Sequence, residues 1–230
     1  MCSAMQLAMR LARFLTGGAS ARSTLRHYCA LLTLYTAASC AHAEVVIDGR
    51  VDEAEWQQAM RCEGWKRTAP FARDEPRYHN ELRLLSTSDG LAAAFVIDQP
   101  PTQRRIKPRT PRDAESLVGD TVALLVDFDA TGQVGYEFAV GLGGGVRDGL
   151  VTNQNKFDRD WDGTWQHAVR ESDEQWFVEI LVPWSSISMR ESRADTRTIG
   201  IYADRYLFDR GERGRVEGAA QTPTRGYQMS

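Results

Sequence analysis

The chain has 230 residues and a formal charge of −3. That total averages unlike parts: residues 1–43 hold Arg10, Arg13, Arg22 and Arg26 and no acid, which leaves 24 bases against 31 acids, about −7, for the remainder. This balance disfavours the basic footprint of a nucleic-acid binder, and 42% hydrophobic with 26% charged residues excludes a disordered or collagen-like chain.

Taken in chain order, Tyr28 to Ala38 is an apolar run of about eleven residues, preceded by Arg22 and Arg26 and followed by Ala41-His42-Ala43. Basic flank, short apolar core and small-x-small site are the parts of a secretory signal, with cleavage expected after Ala43. A spanning helix needs about 20 apolar residues, so the run is too short for one. Lipidation at Cys40 is the weaker alternative. Cleavage removes Cys2, Cys29 and Cys40, and a mature chain holding only Cys62 has no internal disulfide.

Beyond the leader, Asp48-Gly49 marks a turn, and Asp52 N-caps an expected helix of about two turns through Met60, with Trp56 and Met60 on its buried face. Most of the rest reads as strands. Residues 81–85 and 91–97 flank Ser88-Asp89-Gly90 as a hairpin, and 99–116 is a Pro- and Arg-rich exposed loop. Thr121–Val126 has the look of a buried strand, and Tyr136–Val140 alternates at period two. Gly141-Leu142-Gly143-Gly144-Gly145 lacks the Lys-Ser/Thr and helix of a phosphate loop and reads as a wide turn. A second hairpin joins 165–170 to 175–182 through Glu171–Glu174, Pro183–Ile187 suits a short helical turn, and Ile199–Tyr206 is the last expected strand. Residues 209–230, rich in Gly, Arg and Glu, read as a loose tail. About nine short strands with one short N-terminal helix predict an all-β, antiparallel β-sandwich over residues 44–208.

The order of several motifs carries a resemblance. Ile47-Asp48-Gly49-Arg50-Val51-Asp52-Glu53-Ala54-Glu55-Trp56 is followed by Gly119-Asp120-Thr121, Tyr136-Glu137-Phe138, Gly145-Val146-Arg147-Asp148-Gly149, Trp161-Asp162-Gly163-Thr164-Trp165 and Val182-Pro183-Trp184-Ser185-Ser186-Ile187. Over residues 45–208 this set resembles family 9 carbohydrate-binding modules, most of all those that form a periplasmic N-terminal module fused to an outer-membrane β-barrel. The resemblance implies a jelly-roll-type sandwich that binds glycan without catalysis beside glycoside hydrolases, with structural calcium in some members. Two departures stand out. Barrel-fused relatives continue well past the length of this chain, and no tryptophan follows Trp184 where binding members close their site. The competing expectation is therefore a remnant interaction domain with an outer-membrane barrel or envelope partner and no glycan affinity.

Sugar recognition needs aromatic faces and planar hydrogen-bonding groups. Residues 147–161 supply both, which nominates Trp161, Arg147, Asn153 and Asn155 for carbohydrate binding, with Trp65 as a further aromatic; Trp165, Trp176 and Trp184 read as core. Asp158-x-Asp160-x-Asp162-Gly163 matches the start of a calcium loop, although Val169 occupies the twelfth position of an EF-hand. His79, His167 and Cys62 lack zinc-ligand spacing, and haem pairings of His79 with Met60 or His167 with Met189 are disfavoured. No nucleophile motif occurs, so the reading is a binding module, exported to the periplasm or cell surface, that requires no cofactor beyond calcium in some relatives.

Overall fold

Apolar residues recur at every second position along the strands, so each strand has a buried and an outward face. In a computed structural model describing residues 45–112, 114–153 and 156–223, these strands assemble into two antiparallel sheets packed as a β-sandwich. The expected leader and its cleavage site lie outside the described residues. One sheet has the order β1-β3-β4-β10-β9, built from Met60–Cys62, Asn80–Ser86, Gly90–Asp98, Gln175–Pro183 and Gln166–Glu171. The other has the order β2-β12-β11-β5-β6-β7-β8, from Lys66–Ala69, Glu212–Pro223, Thr196–Leu207, Thr121–Asp127, Val134–Gly141, Val146–Thr152 and Lys156–Asp158. Both expected hairpins form in register, Leu84 opposite Ala93 and Val178 opposite Val169.

Between the sheets, Leu82, Phe95 and Ile97 meet Val122, Leu124 and Phe138, with Trp176, Ile180 and Ile199 also fully enclosed. A second apolar layer covers the outside of the five-stranded sheet. There Ala92, Ala94, Val96 and Leu181 point away from the main core and are roofed by Val51, Trp56 and Ala59. The pin for this roof is Glu179, whose carboxylate accepts from the Gly49 amide at 2.7 Å, the Asp48 amide at 2.9 Å and Trp56 Nε1 at 2.8 Å. Gly49 sits at φ +85°, with Arg170 where a Cβ would stand. A side chain there meets both backbone strain and a clash. Burial pushes the Glu179 carboxyl up to about 7, against the lowering pull of these three hydrogen bonds.

The expected two-turn helix is a single 3-10 turn, Ala54–Gln57, capped without any side-chain bond from Asp52 or Glu53. Trp56 is wholly buried and Met60, already in β1, is 38% exposed. The Pro- and Arg-rich loop is tethered rather than free-standing. Gln99 is fully buried; its amide donates to Asp120 Oδ2 at 2.8 Å, and its carbonyl accepts from Trp176 Nε1 and Arg205 at 3.1 Å each. Asp120 also accepts from the Ile106 and Phe208 amides, stitching the loop to both sheets. Burial pulls the Arg205 guanidinium down to about 10, and the charges of Asp120 and Glu212 oppose that fall. The glycine-rich turn between β6 and β7 packs on the backbone of residues 107–110.

The loose-tail expectation needs correction. Glu212–Pro223 is strand β12, paired with β11 over twelve residues and with β2 on its other side. Its inward positions include Glu212, Gly214 and Val216, too little apolar content to reveal a strand whose order comes from its neighbours.

Candidate functional site

Among the described residues, the outward face of the seven-stranded sheet is open and forms a trough of about 1330 Å³, bordered by Leu117 and Val118. Strand register builds it. Asp204 of β11 stands opposite Ala123 of β5, Ala123 opposite Ala139 of β6, and Ala139 opposite Arg147 of β7, so one row crosses four strands with two alanines as its floor. Small residues in the middle and large ones on both sides make the depression. One wall is Tyr202, Tyr206, Arg213 and Arg215, and the other is Arg147 and Phe157.

Each wall is a charge cluster laid on aromatic rings. Asp204 accepts from Arg213 at 3.0 Å and from Arg215 at 3.3 Å, and these guanidinium groups lie over Tyr206 and Tyr202 at 4.5 and 5.1 Å from the ring centres. Opposite, Glu137 pairs with Arg147 and Arg159, and Arg159 lies 4.6 Å over the Phe157 ring. Gly149 makes this reach feasible: a Cβ there would stand 2.6 Å from the Asp158 carbonyl and 3.3 Å from the Arg159 side chain. The walls thus combine flat rings with forked donors, the two ingredients of saccharide recognition.

No family model matches the chain, and no curated protein does. Among solved structures, it is similar to a family 9 carbohydrate-binding module from Caldicellulosiruptor kristjanssonii in complex with glucose, at TM-score 0.51 and 11% identity, covering 76% of this chain and 82% of that one. A proposed carbohydrate-binding protein from Bacteroides uniformis matches at TM-score 0.50 and 10% identity, covering 70% of this chain and 76% of that one. The fold is that of a family 9-like carbohydrate-binding module.

Within this fold the motifs that carry the sequence resemblance are framework. The Ile47-to-Trp56 motif is the roof pinned by Glu179. Asp148, 2% exposed, accepts from Trp165 Nε1 at 2.6 Å, the Gly163 amide at 3.2 Å and Arg112 at 3.1 Å, closing the Trp161–Trp165 loop. Trp184 Nε1 donates to the Thr87 carbonyl, and Ser186 to that of Thr164.

Of the residues nominated from sequence, Arg147 lines the trough. Trp161 does not; it packs edge-on against Tyr136 and Phe138 at 5.1 and 6.1 Å, so its ring belongs to the interior edge. Trp65 is 4% exposed, packed edge-on against Phe95 and donating to the Cys62 carbonyl, which leaves no face for a sugar. Asn153 holds a left-handed turn after β7 at φ 50° and is not part of the lining, and Asn155 lies outside the described residues. Asp158, Asp160 and Asp162 do not gather: Asp158 accepts from the Asp160 amide, Asp162 pairs with Arg112, and no cluster of three metal-ligating side chains occurs among the described residues.

The trough residues missed from sequence are Glu137, Phe157, Tyr202, Asp204, Tyr206, Arg213 and Arg215. A signal existed in β11, where Ile199, Ile201 and Ala203 alternate with Tyr202, Asp204 and Tyr206. Two tyrosines on the polar face of a strand are wasted unless something covers them or binds them.

Proposed function

We propose that this chain is a non-catalytic carbohydrate-binding module and that the trough on its seven-stranded sheet is the binding surface. The observation that supports it most is the pairing of ring and guanidinium on both walls across an alanine floor. Rings pack on the apolar face of a pyranose, and arginine forks hydrogen-bond vicinal hydroxyls or acidic groups. The neighbour solved with glucose has this fold, which supports a saccharide ligand. The reading extends to export: the basic flank, apolar run and small-x-small site of residues 22–43 support delivery to the periplasm or cell surface, where glycan breakdown would present ligand.

The test is a glycan array followed by calorimetry on the hits, with a reducing-sugar assay on the same mixtures. Binding without turnover, lost in Tyr202→Ala/Tyr206→Ala while the melting temperature holds, is the expected result. No saccharide binding by the wild type would return the chain to the interaction-domain reading, and release of reducing ends would make it an enzyme.

A further inference from the structure

Beside the framework, the arginine-bearing pocket next to Arg83 and Arg170 and the charge clusters of the trough present further chemistry. The clusters carry an inference furthest. We propose that the trough selects an acidic saccharide, its uronate carboxylates held by the guanidinium pairs Arg213/Arg215 and Arg147/Arg159; this rests on the saccharide reading above and names the class of sugar.

Exposure is the first support. Each carboxylate is bracketed by two guanidinium groups, and the acid is the more hidden partner: the side chains of Asp204 and Glu137 are 9% and 6% exposed, those of Arg213, Arg215 and Arg159 are 43%, 39% and 34% exposed, and that of Arg147, which also donates to the Glu115 carbonyl, is 19% exposed. A ligand entering the trough therefore meets cation before anion. Asp127, at the far end, spends its carboxylate on the Asp129 and Gly132 amides of its own turn.

Ring coverage is the second. Tyr206, Tyr202 and Phe157 each carry a guanidinium within 4.5 to 5.1 Å of the ring centre, so a pyranose that reaches these rings meets a cation beside them. A guanidinium held flat on a ring is pre-oriented and loses less freedom on meeting a carboxylate.

Donor inventory is the third. Arg213 bonds Asp204 through Nη1 and Arg215 through Nε, which leaves Nε and Nη2 of the first and both terminal nitrogens of the second for an incoming acid. Asp204 itself shows that these forks accept a carboxylate in this place. Asp204 and Arg147 stand three strand spacings apart, about 14 Å, across the alanine floor, so a chain lying in the trough meets a guanidinium on either side.

The experiment is calorimetry of the full chain with tetramers of galacturonate, guluronate and mannuronate against cello-, xylo- and mannotetraose, at low and high sodium chloride. At least one uronate tetramer is expected to bind about tenfold or more tighter than every neutral one, and to weaken as salt rises. Arg213→Gln/Arg215→Gln is expected to weaken that complex by about 10- to 100-fold, the loss of charge-assisted bonds. Wild-type preference and salt dependence stand even if this variant folds poorly. Neutral tetramers bound as tightly as uronates, or uronate binding indifferent to salt, would overturn the acidic class and leave the saccharide function standing. Binding of neither set would overturn both.

Discussion

The two outward faces of this sandwich make a direct contrast. On the five-stranded sheet, the outward positions of β4 and β10 are Ala92, Ala94, Val96, Phe177 and Leu181, and the N-terminal segment roofs them. On the seven-stranded sheet the outward positions mix tyrosines and paired charges with small and apolar residues such as Ala123, Leu125, Ala139 and Val151, and among the described residues they line an open trough. Yet both faces hold a carboxylate satisfied by several donors. On the roofed face Glu179 takes two backbone amides and an indole, so the interaction is closed and serves folding. On the open face Asp204 and Glu137 take arginine side chains that are themselves 19% to 43% exposed. A saturated carboxylate marks structure, and a cluster with donors to spare marks a surface built to accept something.

Perturbing one face should leave the other intact. Trp56→Ala empties the roof of its wholly buried indole and orphans one acceptor of Glu179; a loss of ~3–5 kcal/mol in denaturant-monitored stability is expected. Saccharide affinity of the folded fraction should not change. If it falls in parallel, the two faces are coupled and the contrast fails.

The roof also has a pH signature. Because the folded-state pKa of Glu179 lies at about 7, above its ordinary 4.5, its contribution to stability is full below about 4.5 and is lost as pH rises through about 7. Glu53, raised by burial, acts in the same direction. Relative to Glu179→Gln, the wild type should therefore lose ~3 kcal/mol between these limits, read from denaturant midpoints across pH. A difference independent of pH would contradict the assignment.

Smaller effects sharpen the boundary of the site. Trp161→Ala is expected to cost ~2 kcal/mol in stability by stripping the edge contacts with Tyr136 and Phe138, and to leave glycan affinity unchanged in calorimetry. Tyr206→Ala should do the reverse, weakening binding about tenfold with little change in melting temperature. Phe157→Ala, which removes a wall ring and the platform under Arg159, should weaken binding about two- to fivefold.

The contrast also explains what could be read from the sequence. The sandwich was legible because hairpin turns and period-two patterns report local geometry, as in residues 81–97 and 165–182. Strand β12 was not, since Glu212 and Gly214 occupy inward positions and its place is dictated by β11 and β2. Trp161 suggested a ligand face because Asp158, Arg159, Asp160 and Asp162 surround it; in the fold Arg159 reaches Glu137, Asp162 pairs with Arg112, and the ring turns inward. Arg147 was found because it shares that segment, whereas the tyrosine and arginine wall lies on β11 and β12, some 55 residues or more further on. Only cross-strand register brings Arg147 and Asp204 into one row.

The central claim is that saccharide binds on the seven-stranded sheet. Backbone and side-chain NMR shifts of the labelled chain, followed while a saccharide hit is titrated, address it directly. Shifts should concentrate at Ala123, Ala139, Arg147, Tyr202, Tyr206, Arg213 and Arg215, with Trp56, Phe177 and Glu179 unmoved. Shifts centred on the roofed face or on the Trp161–Trp165 loop, with the trough silent, would contradict it.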